Sequence, residues 1–89
     1  AVTSCEVAIV NPLGLHARPA AQLVKLASSF AADIEAVKEG TSVNGKSIMG
    51  VMMLAAECGS SVTVRADGPD EQDAVNALLA LVARGFGES

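Results

Sequence analysis

The chain changes its hydrophobic period several times, and each change marks an element. Between positions 5 and 10, Val7 and Ile9 fall on one side while Glu6, Ala8 and Val10 fall on the other. That alternation predicts a short strand with one buried face. Asn11-Pro12-Leu13-Gly14 interrupts it, since proline and glycine break regular structure strongly. From Ala17 the period lengthens. Ala20, Leu23, Val24, Ala27 and Phe30 recur on one helical stripe, with Arg18, Gln22, Lys25 and Ser29 opposite, which predicts an amphipathic helix lying on a flat layer. Ile34, Ala36 and the stretch to Lys38 predict a second strand, and Glu39-Gly40 a turn into a short third strand at Thr41 to Val43.

Asn44-Gly45 is a further turn signal. Beyond it Ile48, Met49, Val51, Met52, Met53 and Leu54 are apolar nearly all round, with Ser47 placed to cap a short helix. A buried strand would show the same pattern over so few residues. Val62, Val64 and Ala66 alternate with Thr63 and Arg65 as a fourth strand, closed by Asp67-Gly68-Pro69. Asp70, Glu71 and Asp73 then crowd the first turn of a last helix, where the helix dipole favours negative charge, and Arg84-Gly85 ends it. Val75, Leu78, Leu81 and Val82 form its buried stripe. The order β-α-β-β-α-β-α predicts an α+β fold of two layers, an antiparallel sheet covered by helices on one face.

The chain's 89 residues fit a single domain spanning 1–89. Hydrophobic residues make up 51% and charged residues 18%, enough apolar surface to fold. No segment approaches the roughly 20 apolar residues needed to span a bilayer, and no basic stretch followed by an apolar run opens the chain, so a cytoplasmic protein without membrane insertion is expected. The net charge of −4 and an aromatic content of 2% argue against nucleic acid as a partner, which asks for a basic face and stacking platforms. Cys5 and Cys58 stand far apart; they are expected as reduced, partly buried thiols, and no metal site is expected from them and one histidine.

His16 is the single histidine. A lone histidine is more often structural than functional, but this one lies between a glycine-bearing loop and the first turn of a helix. The open backbone N–H groups there, with the positive end of the dipole, form a ready anion site. Pro19 is tolerated in that turn and biases Arg18 away from helical angles, so an irregular helix start is expected. The amides of Ala17 and Arg18 remain available for phosphate oxygens, and the Arg18 guanidinium adds a charge-assisted contact. A neutral imidazole nitrogen is a competent nucleophile for phosphoryl transfer near neutral pH, a reaction that asks mainly for positioning and charge stabilisation. No phosphate-cradling glycine loop and no paired carboxylate accompany it, so the site can hold a phosphoryl group but is too sparse to take one from a nucleotide.

The segment Asn11-Pro12-Leu13-Gly14-Leu15-His16-Ala17-Arg18-Pro19-Ala20-Ala21 closely resembles the active-site signature of the histidine phosphocarrier (HPr) family, which includes a nitrogen-branch paralogue. Gly45-Lys46-Ser47-Ile48-Met49-Gly50-Val51-Met52-Met53-Leu54 resembles its second signature, and the likeness covers essentially the whole chain. The resemblance implies an open-faced β-sandwich with strand order 1-4-2-3 and three helices on one face. It also implies that His16 accepts a phosphoryl group on Nδ1 from phosphorylated enzyme I and donates it to a histidine of an enzyme IIA domain for bacterial sugar uptake, with no cofactor. Arg18 matches the arginine that neutralises the phosphate. Ser47 matches the family's regulatory serine, the target of HPr kinase/phosphorylase where a host has one; its plain reading is a helix cap worth about 1 kcal/mol. A helix apolar on every side cannot bury every side in so small a fold, so Ile48, Met49 and Met52 are expected in a partner-docking patch with Ala17, Ala20, Lys25 and Ser28.

On this reading the chain is a carrier rather than an enzyme, and a monomer, since a shuttle presents one patch to successive partners. The alternative is a nitrogen-branch phosphocarrier or binding regulator. A metal or RNA-binding α/β module lacks the required C-x-x-C loop or aromatic strands. The sequence departs from commoner family members at Ala55, where glycine is frequent, and at Glu57-Cys58 before Gly59.

Overall fold

In the computed structural model, which describes residues 2–87, four strands form one antiparallel sheet. They are β1 (Val2–Ala8), β2 (Asp33–Lys38), β3 (Thr41–Asn44) and β4 (Ser61–Asp67), in the order β1-β4-β2-β3. Helices α1 (Ala17–Ala27), α2 (Ile48–Met53) and α3 (Glu71–Ala83) cover one face, and a 3-10 turn at Gly85–Gly87 follows. Ala1, Glu88 and Ser89, which the expected domain also spans, lie outside the described residues.

The register sorts the strand residues by face. Ala66 pairs with Ile34, Val64 with Ala36, and Ala36 with Val43, one row after another on the helix side. Ile34, Ala36, Val62, Val64 and Ala66 are buried there with Ala20, Leu23, Val51, Val75 and Leu78 in one cluster. Each large apolar side chain so buried stabilises the fold by about 1.5–3 kcal/mol before chain entropy is set against it. The opposite face carries Arg65, Glu35 and Asn44 in one row and is open, all three being exposed.

Several boundaries differ from the sequence expectation. The first strand begins at Val2 and ends at Ala8 rather than running from 5 to 10. Its burial pattern is mostly exposed because β1 is an edge strand, which blurs the alternation that marks a strand buried on one face. Ile9 is buried beyond its end, held by Ile9 N–H to Ser60 C=O at 2.8 Å and Gly59 N–H to Ile9 C=O at 2.8 Å. α1 stops at Ala27, leaving Phe30 half-buried after it. β3 extends through Asn44, and α2 ends at Met53 with Leu54 as its cap. Cys5 and Cys58 are exposed rather than partly buried. Cys5 pairs with Val64 and shares its side of the sheet, yet it is exposed on the edge strand while Val64 is buried in a central one.

Candidate functional site

Residues 11–16 form a tight, hydrogen-bonded bridge into α1. The Gly14 N–H donates to the Asn11 carbonyl at 3.1 Å. The Gly14 carbonyl in turn accepts from the Asn11 Nδ2 at 2.7 Å and from the His16 backbone N–H at 3.0 Å. Leu15 is buried, and its N–H donates to the Ala56 carbonyl at 2.9 Å, tying the bridge to the segment that follows α2. Only glycine fits position 14. Its φ is +66°, and a Cβ there would stand 2.3 Å from the Ala56 carbonyl oxygen. The 3-10 turn closes over the start of the bridge, Gly85 lying where a Cβ would meet Asn11 Cβ at 3.7 Å.

His16 sits at the N-cap of α1 with extended backbone angles (φ −77°, ψ −174°), half-buried, and its side chain does not cap the helix. The first intrahelical bond runs from the Ala20 N–H to the His16 carbonyl at 3.0 Å. The amides of Ala17 and Arg18 therefore precede the ladder, and α1 itself offers them no acceptor. Ala17 and Arg18 are exposed, and no acidic residue occupies the first turn of α1, so no carboxylate of that turn competes with an anion at the positive helix end. Arg18 lies inside α1. The irregular start expected from Pro19 is absent, because Pro19 falls in the first turn, where the chain needs no amide donor.

α2 packs against α1. Ser47 caps it, its Oγ accepting from the Gly50 N–H at 3.1 Å. Val51 is fully buried, while Ile48, Met49, Met52 and Met53 stay exposed, Met49 at 71% and Met53 at 75%. Lys25 and Ser28 of the α1 side are exposed too. Ala20 is not. It is 0% exposed and shares the buried face of α1 with Leu23 and Ala27, so it cannot touch a partner and leaves the docking patch. A groove of about 380 Å³ on the β2–β3 hairpin, lined by Asp33, Glu35, Ser42, Asn44 and Lys46 among others, does not include His16. His16 is half-buried, while Ala17 and Arg18 after it are exposed. Among the described residues no group of His, Cys, Asp and Glu could hold a metal ion.

Sequence reading missed the part played by Asn11, which it took only as a chain breaker. An asparagine just before proline at a strand end is a turn signal, but its amide reaching the Gly14 carbonyl is visible only in three dimensions. Leu13, 75% exposed on the same bridge, is an apolar side chain whose exposure no periodicity marks. Lys38 was read as strand; its Nζ approaches the carbonyls of Leu54 and Ala55 at 3.4 and 3.3 Å, at the negative end of α2.

A sequence profile described as "PTS HPr component phosphorylation site" matches residues 3–84. The chain belongs to the HPr family. The phosphocarrier protein HPr of Cupriavidus necator is 55% identical over 83 residues, 93% of each chain. Among solved structures, HPr-C-His from Thermoanaerobacter tengcongensis superposes with a TM-score of 0.94 at 44% identity, covering 98% of both chains. Crh of Bacillus subtilis, described as a swapped-domain dimer, gives 0.76 at 47% identity, covering 83% of this chain and 85% of its own. The chain has the sheet order 1-4-2-3 and the three helices expected of HPr, and it is a phosphocarrier of the phosphotransferase system, not an enzyme. No helix among the described residues is long and apolar enough to cross a membrane.

Proposed function

We propose that this chain accepts a phosphoryl group on His16 from phospho-enzyme I and passes it to enzyme IIA domains that serve sugar uptake. The observation that carries the reading is the position of His16 at the N-cap of α1, with the Ala17 and Arg18 amides ahead of the first intrahelical bond. The Nδ1 lone pair attacks phosphorus, the bond to the donor breaks, and a phosphohistidine forms. Its oxygens are held by those amides and by the Arg18 guanidinium, which stabilise charge in the transition state as well as in the product. Attack by an enzyme IIA histidine on the same phosphorus releases His16 unchanged.

Ala17, Lys25, Ser28, Ile48, Met49 and Met52 form the docking surface in this reading, around a histidine that partners reach from solvent. Ser47 is its regulatory position: a phosphate there adds a dianion beside the docking helix. The chain acts as a cytoplasmic monomer, which sedimentation at micromolar concentration tests against a Crh-like dimer.

The deciding experiment is incubation with phosphoenolpyruvate and purified sugar-branch enzyme I, followed by intact mass measurement and acid treatment. One acid-labile phosphoryl group, absent in His16→Ala, is the expected result. A folded chain that gains none from active sugar-branch enzyme I, but one from the nitrogen-branch homologue, would move it to the nitrogen branch.

A further inference from the structure

The chain has three methionines, and all of them, Met49, Met52 and Met53, lie on α2. These residues are 71%, 39% and 75% exposed, and the buried cluster contains none of them. With Ile48 they form the solvent side of a helix whose opposite side is Val51, fully buried. Thioethers so placed are open to oxidants, and adding oxygen to them disturbs no core packing. What it does change is the chemistry of this one face, from soft and apolar to polar.

We propose that Met49, Met52 and Met53 form a reversible sulfoxidation site, through which a peroxide shuts off partner docking while the fold stays intact. The inference rests on the reading that this face meets enzyme I and enzyme IIA. In the step itself a sulfur lone pair attacks one peroxide oxygen. The S–O bond forms, the O–O bond breaks, and the departing hydroxide takes up a proton to leave as water. Sulfur is oxidised by two electrons and the peroxide is reduced. A thiol-dependent methionine sulfoxide reductase reverses it, two thiols becoming a disulfide as the oxygen leaves in water.

A sulfoxide oxygen is a strong acceptor. When the face closes on a partner, that acceptor is carried out of water without a donor matched to it, and affinity falls by on the order of tenfold or more. In the free protein the same oxygen stays solvated and costs little. The exposure of these three residues therefore separates docking, which is lost, from stability, which is kept.

The test uses the full chain with Cys5→Ser and Cys58→Ser, so that the exposed thiols take no oxidant. Hydrogen peroxide is added, peptide mapping counts the oxygens on each methionine, and the rate of transfer from phospho-enzyme I is measured beside a thermal melt. The expected result is a fall of about tenfold in transfer that tracks sulfoxide content, an unchanged melt, and recovery with methionine sulfoxide reductases of both stereospecificities. A variant with Met49→Leu, Met52→Leu and Met53→Leu, whatever its own starting rate, should transfer equally fast before and after the same treatment. Transfer at the untreated rate with all three sulfoxides in place overturns the proposal. So does an equal loss in the leucine variant, or a collapse of the melt. A chain that accepts no phosphoryl group before any peroxide is added overturns the carrier reading itself, and this inference with it.

Discussion

At Ala55 the chain leaves α2 in the left-handed region, with φ at +50° one residue beyond the Leu54 cap. That is the position where helices most often end in glycine, because any Cβ there crowds the backbone. The glycine common at this point in the family thus has a conformational cause, and the alanine here bears a cost. Ala55 is exposed, so replacing it sacrifices no packing. Ala55→Gly should stabilise the protein by about 0.5–1 kcal/mol, the relief of strain less the added freedom of the unfolded chain. That raises the melting temperature by roughly 3–6 °C. An unchanged or lower melting temperature would show that the left-handed turn is not strained. Gly14 is the opposite case: there space as well as φ demands glycine, and the departure seen at Ala55 is not open to it.

At the scale of elements, the start of α3 does more than satisfy a dipole. The Asp70 carboxylate accepts the backbone N–H of Ala31 and of Ala32, each at 2.8 Å, clamping the loop between α1 and β2. Lys46 adds to that junction, its Nζ donating to the Phe30 carbonyl at 2.8 Å. Glu71 accepts from the Thr3 hydroxyl at 2.6 Å and from the Gly68 N–H at 3.2 Å, joining α3 to the edge strand. The Ala31 amide, more than any other group, holds Asp70 below its ordinary value of 3.8. The Thr3 hydroxyl chiefly does the same for Glu71, below 4.5. A carboxylate whose pKa is lower folded than unfolded stabilises the fold fully above the unfolded value, and that stabilisation is lost as pH falls through the lower, folded one. Melts of the parent should therefore decline below those ordinary values. Asp70→Asn should melt lower than the parent at neutral pH, with the gap narrowing as acid protonates the parent's carboxylate. A gap constant with pH would mean that the charge on Asp70 does not matter to the clamp.

Over the whole molecule, the sheet has one covered and one open face, and His16 stands at the end of the covering layer, where α1 packs beside α2. The apolar solvent side of α2 is the unusual surface: four large hydrophobic side chains exposed on one short helix that packs against α1. Met49→Glu tests its purpose. The side chain is 71% exposed, so stability should change by no more than about 0.5 kcal/mol. Binding of enzyme I should weaken by about tenfold, the loss typical when a charge replaces an apolar anchor at an interface. Calorimetric titration reads both partners' affinity directly, and an unchanged Kd would take Met49 out of the interface.

The elements and their order were legible in the sequence alone. Period and punctuation are local properties, and His16, Arg18 and Ser47 owe their settings to neighbours within a turn of helix. The sequence also announced that α2 was too apolar to be wholly buried. Tertiary structure decided what depends on distant partners. It buried Ala20, whose small side chain carries no mark of which way it faces, and left Cys5 exposed on an edge strand. It brought Ala56 under Gly14, Asp70 under the Ala31 and Ala32 amides, and Asn11 onto the carbonyl that holds His16. Hydrogen bonds across long stretches of chain leave no periodic trace in the sequence, because they are set by where whole elements pack and not by the residues on either side.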